Sequence, residues 1–242
     1  MRRYLLFRLF GPLAAWGDIA VGEHRPSAAH PTKSAIVGLV AAALGIRREE
    51  EDRHRDLAQG YGLGVRVDAT GELLRDYHTV QVPPARKGVR HHTRRDELSV
   101  PDLYTILSQR DYRAEAHYTV ALWPNDPAPY PLEEIAEALR RPRFVLYLGR
   151  KSCPPALPLA ALIREAATLR EAFDACPPDT ESLDGLRWDD APGFYWEGLT
   201  AQEAGFSDWL TSQRRDLPLS RRRWQFRSRE EHQGLDGGGK TP

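Results

Sequence analysis

The sequence predicts an α+β fold of the ferredoxin-like type, also called split βαβ. Alternating apolar runs of strand length recur through the first 150 residues, and two helical patterns lie between them. The predicted order is strand, helix, two strands, a basic excursion, strand, helix and strand. This order approximates β-α-β-β-α-β with a long insertion. A chain of 242 residues is long enough for one large domain or two unequal ones.

The first predicted elements are a strand and a buried helix. The strand covers the apolar run Tyr4 to Phe10 and ends at Gly11-Pro12. After a loop that carries Trp16 and Arg25, a helix is predicted from Ala35 to Leu44. Because this helix is apolar nearly all the way round, we expect it to be buried.

The start of that helix has the composition of an anion site. Thr32 and Ser34 bring hydroxyl groups and Lys33 brings a positive charge, next to the unpaired backbone N–H groups of a first helical turn. These three residues are therefore candidates for binding phosphate.

A hairpin and a basic excursion follow. Residues 62–68 and 73–82 read as two strands joined by a turn at 69–72, after a charged run at 47–56 that suits an exposed helix or loop. From 83 to 112 the periodicity weakens, and no acidic residue occurs between 86 and 95. This excursion is either a mobile surface loop or a basic arm for a polyanion such as a phosphate backbone. Its basic residues are Arg86, Lys87, Arg90, Arg94 and Arg95.

The rest of the chain is predicted less regularly. A strand at 116–123, a helix at 132–139 and a strand at 144–148 are followed by Arg150, Lys151 and Ser152, and then by a helix at 159–173. Weak strands are predicted at 193–196 and 223–226. The arginine-rich segment 214–229 includes Trp224 and Phe226, a mixture that suits contact with nucleic acid or with an acidic protein.

Composition excludes several classes of protein. The formal net charge is zero, so the chain as a whole is not a strongly basic nucleic-acid binder. Two cysteines and the lack of paired metal-ligand motifs argue against a disulfide scaffold or a structural metal, and we expect no cofactor. No apolar stretch approaches the length of a membrane span, so we expect a cytoplasmic protein with no membrane contact.

Catalysis has less support than binding. His78 lies beside Tyr77, and with Lys33, His30 and Lys151 it allows a metal-independent general acid–base ribonuclease to be drawn. No nucleophile elbow or phosphate-binding loop supports an enzyme. A protein-interaction module that uses the arginine-rich segment is a third possibility.

Several motifs resemble the CasD subunit family of the type I-E CRISPR surveillance complex, Cascade. They run in the family's order across residues 4–158. They are GPLAAWG at 11–17, Arg25-Pro26, PTKS at 31–34 with Gly38-Leu39 and 44–46, LRDYHTV at 74–80, YTVALW at 118–123, and 142–154 with YLGRKSCP at its end.

The resemblance implies a ferredoxin-like, RRM-like RNA-binding domain at 1–150 with a protruding basic thumb hairpin at 83–112. It also implies a small β-containing C-terminal domain at 151–230, after which we expect a disordered tail at 231–242. The family's subunit is a non-catalytic binder that holds the 5′ handle of CRISPR RNA and caps the backbone of the complex. The implied partners are CRISPR RNA, the backbone, large and other subunits of Cascade, and target DNA indirectly through the complex.

The candidate RNA-binding residues combine the predicted sites with this resemblance. Lys33, Arg25, Arg150 and Lys151 are expected to neutralise phosphates, and Tyr77 and His78 to contact splayed bases. The full set is Arg25, Thr32, Lys33, Ser34, Tyr77, His78, Arg86, Lys87, Arg90, Arg94, Arg95, Arg150, Lys151 and Ser152. The alternative function is a metal-independent endoribonuclease that processes CRISPR repeat RNA.

Overall fold

The computed structural model describes residues 1–234, which form eleven strands and six helices. The strands are β1 (Arg2–Phe10), β2 (Leu13–Ala14), β3 (His24–Arg25), β4 (Tyr61–Ala69), β5 (Glu72–Val82), β6 (Tyr104–Ala114), β7 (His117–Pro124), β8 (Leu162–Ala166), β9 (Gly193–Trp196), β10 (Trp209–Ser220) and β11 (Gln225–Gly234). The helices are α1 (Lys33–Leu44), α2 (Glu51–Gly60), α3 (Arg94–Leu98), α4 (Leu132–Arg140), α5 (Leu169–Asp174) and α6 (Ala201–Ala204).

The strands form two sheets. The larger sheet has seven strands in the order β10-β11-β9-β4-β7-β1-β8, and all its neighbours are antiparallel. In sequence, α1 lies between β1 and β4, and α4 lies between β7 and β8. The smaller sheet joins β5, β6, β2 and β3. The predicted α+β class is confirmed.

Helix α1 covers one face of the large sheet. The Thr32 side chain accepts the N–H of Ala35 at its start, and Gly45 ends it with a φ of 76°. Its apolar residues pack with Phe7 and Val120 of the sheet in one core, whereas Leu6 and Trp123 face a second core under α5 and α6. The prediction that this helix is buried is confirmed.

The predicted hairpin of residues 62–82 is wrong, although both of its strands exist. Strand β4 lies in the large sheet, whereas β5 pairs with β6 from Glu72↔Ala114 to Val82↔Tyr104. At the turn between them, Gly71 has a φ of 63°, and a Cβ there would lie 2.2 Å from the carbonyl oxygen of Ala114. The turn therefore sends the chain into the other sheet. Charged residues interrupt the apolar pattern of β6, which the sequence did not predict.

The strand predicted at 144–148 is also wrong. This segment is irregular, because it closes the end of α1: the N–H groups of Arg143 and Phe144 donate to the carbonyls of Ala43 and Ala42. The edge position of the sheet is occupied by β8, which falls inside the helix predicted for 159–173. Only the last part of that prediction is helical, as α5.

The domain division at residue 150 stays a prediction. Strands β8 to β11 join the same sheet as β1, β4 and β7. Residues 231–234, predicted as part of the tail, belong to β11, and the rest of the predicted tail, 235–242, lies outside the described residues. Among residues 1–234, no helix has both the length and the apolarity needed to cross a bilayer.

Candidate nucleic-acid interface

A cleft of about 780 Å³ runs along one face of α1. The loop of residues 15–26 and the segment 147–150 form one side, and the turn between β10 and β11 forms the other. Four predicted binding residues line it, namely Arg25, Thr32, Ser34 and Arg150, together with Tyr147, Arg221, Trp224 and Phe226. A second cavity of about 290 Å³ shares Trp224 and Phe226 and reaches Arg215. The cleft thus combines guanidinium groups with aromatic rings.

Arg25 and Arg150 are held at one side of the cleft by carbonyl oxygens. Arg150 donates to the carbonyls of Arg25 at 3.0 Å and of Asp111 at 3.1 Å, and its guanidinium lies 4.7 Å from the ring centre of Tyr112. Arg25 donates to the carbonyls of Gly22 at 2.6 Å and of His24 at 3.1 Å. Carbonyl contacts orient a guanidinium without neutralising its charge, so both side chains keep their attraction for anions.

The prediction that Lys33 binds phosphate is corrected. Lys33 is 7% exposed, and its ammonium forms an ion pair with Glu197 and donates to the carbonyl of Tyr61 at 3.2 Å. Its backbone N–H donates to the carboxylate of Asp216 at 2.8 Å. The first turn of α1 therefore already holds an anion that belongs to the protein.

A buried network of charges extends from Lys33 to the last hairpin. Arg229 binds Asp216 and Glu231, and it lies 3.4 Å from Glu197. Arg214 lies 3.1 Å from Glu231. The described network contains three cations and three carboxylates, namely Lys33, Arg214, Arg229, Glu197, Asp216 and Glu231. It fixes β10 and β11 against α1, and thereby positions the far wall of the cleft.

Burial and neighbouring charges shift the pKa values of this network. Burial raises the pKa of Glu197, although Lys33 and Arg229 oppose the shift. Burial also acts to raise the pKa of Glu231, but the hydrogen bond to His30 and the positive charges around it lower that pKa to about 2. His30, whose ring stacks on Tyr195 with centres 3.7 Å apart, has a pKa lowered by burial.

Tyr77 and His78 lie away from α1, on the β5–β6 ribbon. They are adjacent residues of one strand, so their side chains point to opposite faces of the ribbon. Tyr77 is 57% exposed, and Nδ1 of His78 lies 2.9 Å from the carboxylate of Asp76. The ribonuclease considered from the sequence combined His78 with Lys33, but the structure places His78 in β5 of the smaller sheet and Lys33 at the start of α1, each with its own acidic partner.

The remaining predicted residues are exposed and outside the cleft lining. Arg86, Lys87 and Arg90 lie in the connection between β5 and β6. Arg94 and Arg95 belong to the short helix α3, where Arg94 pairs with Glu97 at 2.7 Å. Lys151 and Ser152 follow Arg150 on the surface.

Sequence reasoning missed the far wall of the cleft and one residue of its near side, Tyr147. Tyr147, Arg221, Trp224 and Phe226 were not assigned to this site, although the arginine-rich segment 214–229 with its two aromatic residues carried a signal. Residues 1–234 contain no group of three His, Cys, Asp or Glu side chains arranged to hold a metal ion.

Comparisons with known proteins agree with this architecture. Residues 4–231 match the family model described as CRISPR-associated protein Cas5. Over 163 residues the chain is 37% identical to the CRISPR system Cascade subunit CasD of Escherichia coli (strain K12), covering 66% of this chain and 70% of that protein.

Two solved structures are similar over almost the whole chain. A chain of a CRISPR RNA-guided surveillance complex matches with a TM-score of 0.66 and 28% identity, covering 95% of this chain and 88% of that one. A structure described as a Cas protein matches with a TM-score of 0.56 and 27% identity, covering 95% and 94%. The family match spans nearly all of the described residues, and the expected resemblance is confirmed. The chain belongs to the Cas5 family of CRISPR-associated proteins.

Proposed function

We propose that this protein is a CRISPR RNA-binding, non-catalytic subunit of a Cascade-type surveillance complex in the cytoplasm. It holds the 5′ handle of the RNA and caps the backbone of the complex, between a backbone subunit and the large subunit. Target DNA meets the protein only through the assembled complex. The similarity to CasD supports the assembly role.

The observation that carries the proposal is the composition of the cleft. Its lining contains three arginines, Arg25, Arg150 and Arg221, and one carboxylate, Asp18. The rings of Tyr147, Trp224 and Phe226 lie in the same lining. Guanidinium groups bind phosphates and aromatic rings stack with unpaired bases, which is the combination that single-stranded RNA requires.

The proposal includes the ferredoxin-like arrangement and the thumb. The order β4-β7-β1-β8, with α1 and α4 in the two crossover positions, supports a split βαβ core. In sequence, the β5–β6 ribbon is inserted between β4 and β7, and the exposed Arg86, Lys87 and Arg90 lie at its connection. In this proposal the ribbon is the thumb that contacts RNA at the end of the handle.

Co-purification tests the proposal. The tagged chain is expressed with its neighbouring CRISPR subunits and RNA, and the bound RNA is sequenced. We expect wild type to retain RNAs that share one 5′ sequence, and Arg25→Ala/Arg150→Ala to lose most of them while its thermal unfolding stays cooperative. Arg141→Ala/Arg164→Ala removes two exposed arginines outside the cleft lining and serves as the charge-matched control. A wild-type complex free of RNA would refute the proposal.

The endoribonuclease alternative is tested separately. Purified protein is incubated with repeat RNA in the presence of a chelator, and we expect the RNA to remain intact. Specific cleavage that disappears in His78→Ala or Tyr77→Phe would replace the binding function with a catalytic one.

A further inference from the structure

Arg221 stands out within the cleft because its positive charge has no acidic partner. It follows β10, and its Nη2 donates to the carbonyl of Ser34. Its Nε is buried without a hydrogen-bond partner, and no carboxylate among residues 1–234 forms an ion pair with it. The neighbouring charged group is another cation, Arg48, which donates to the carbonyl of Arg221 at 3.1 Å. A partly buried guanidinium without a counterion is energetically unfavourable.

The surrounding structure holds this unfavourable arrangement in place. The carboxylate of Glu51 accepts the hydroxyl of Ser220 at 2.9 Å and the N–H of Arg222 at 2.6 Å, which fixes the turn on both sides of Arg221. Trp224 is fixed in turn by Arg48, whose guanidinium lies 4.4 Å from the indole ring centre. Contacts within the chain thus position Arg221.

Helix α1 also makes room for Arg221. Gly38 lies in the middle of α1, where glycine weakens a helix relative to alanine. A Cβ at this position would lie 2.9 Å from Nη2 of Arg221. The glycine therefore allows the guanidinium to lie directly against the helix.

We propose that Arg221 is a preorganised anchor for a phosphate group of RNA, with the adjacent base stacked on Trp224. The proposal deepens the proposed function and rests on it. The aromatic lining favours RNA over an acidic protein, because stacking on Trp224 and Tyr147 suits a base and gives no advantage to a carboxylate chain. Within the cleft lining, Arg25 and Arg150 add positive charge and only Asp18 opposes it.

The test measures binding of a short single-stranded RNA with the sequence of the handle, in forms with a 5′-hydroxyl and a 5′-phosphate. The full chain is compared as wild type, Arg221→Gln and Gly38→Ala, with Arg222→Gln as the control. Arg222 is the exposed neighbour of Arg221 and lies outside the cleft lining. Circular dichroism establishes that each variant is folded.

We expect Arg221→Gln to weaken binding about 10- to 100-fold, as loss of a hydrogen bond to a charged group does, and to reduce the salt slope by about 0.7. Gly38→Ala should also weaken binding, because it displaces the guanidinium, while the helix content is unchanged. Arg222→Gln should stay within about threefold of wild type. If only the 5′-phosphate form loses affinity in Arg221→Gln, the anchor holds a terminal phosphate, and if both forms lose it equally, it holds an internal one.

Two outcomes would contradict the proposal in different ways. If wild type binds RNA and both Arg221→Gln and Gly38→Ala bind it equally well, the anchor is refuted and the proposed function stands. If wild type binds no RNA but binds polyglutamate in an Arg221-dependent manner, the ligand is an acidic protein and the RNA function also fails.

Discussion

The carboxylate of Asp216 accepts the backbone N–H of Lys33 at 2.8 Å, and its two oxygens also bind Arg229 at 2.7 and 3.0 Å. One side chain of β10 therefore closes the start of α1 and neutralises a buried arginine. We expect Asp216→Asn to lower the free energy of unfolding by about 3–5 kcal/mol, because it leaves Arg229 short of a counter-charge. Urea unfolding measures the loss. The exposed Asp184→Asn is the control, and an equal midpoint for both variants would disprove the role of Asp216.

Lys33→Met should affect stability and leave RNA binding intact. The substitution removes the partner of buried Glu197, so we expect a loss of about 3–5 kcal/mol in the free energy of unfolding. The additional change Glu197→Gln removes the carboxylate charge that has lost Lys33 and keeps only Arg229, at 3.4 Å, and it should recover part of that loss. Because Lys33 is buried, the folded variant should bind handle RNA within about twofold of wild type. A large increase in Kd with unchanged stability would show that Lys33 reaches the RNA.

Stability should fall on mild acidification, in part through His30. Burial lowers the pKa of His30 below its ordinary value of 6.5, so the unfolded chain takes up a proton more readily than the folded one. Its stabilising contribution is complete above about pH 6.5 and declines as the pH falls below that value.

Glu231 and Arg214 lie against His30 and share this environment. Glu231, with a pKa of about 2, contributes to acid unfolding only below about pH 4.5. Thermal unfolding at pH 7.5 and at about pH 5.5 would compare wild type with His30→Gln, which does not titrate. Wild type should lose more stability between these two conditions. His54, whose pKa is also lowered by burial, remains in both proteins as an internal reference.

The connection between β5 and β6 should contribute to RNA affinity through its positive charges. Arg86→Ala/Lys87→Ala/Arg90→Ala removes three exposed cations, so the slope of log K against log salt should fall by about 2, at about 0.7 for each phosphate contact. The control Arg141→Ala/Arg164→Ala/Arg187→Ala removes the same charge from other exposed positions. Equal slopes for both triple variants would show that the ribbon makes no phosphate contact.

Two substitutions of Trp224 separate its stacking with RNA bases from its effect on the stability of the fold. It has a φ of 52°, a left-handed conformation that costs a residue with a side chain about 1–2 kcal/mol. Trp224→Gly and Trp224→Ala both delete the ring, but only the glycine relieves the backbone. We expect both to weaken RNA binding by about 1–3 kcal/mol. The glycine variant should be the more stable of the two, as measured by thermal unfolding.

Local signals made part of this fold predictable. The alternation in β1, and the apolar run of α1 between Thr32 and Gly45, depend on residues that are neighbours in sequence, and both predictions are confirmed. The partner of β5 was not predictable in this way. The turn at Gly71 packs against the backbone of Ala114, which is distant in sequence, so local patterns do not report this contact.

The same difference between local and long-range contacts explains which residues of the site were predicted from the sequence. Arg25 lies in a predicted loop and Arg150 follows the strand predicted at 144–148. The structure brings the two residues together in the cleft. Lys33 had the right residue type at a helix start, but its burial depends on Glu197, 164 residues later in the chain. Arg221 and Trp224 reach the cleft only because the last hairpin joins the sheet beside β9, a pairing that sequence periodicity does not report.

The last hairpin is synthesised late, and this affects when the chain can assemble with RNA. A ribosome makes α1 and the segment 147–150 well before it makes the turn at 221–224, which supplies the opposite wall of the cleft. A nascent or prematurely terminated chain therefore has a core helix and most of the large sheet, but only half of the cleft. We expect such a chain to bind the RNA weakly, so that only copies that contain the last hairpin enter a complex.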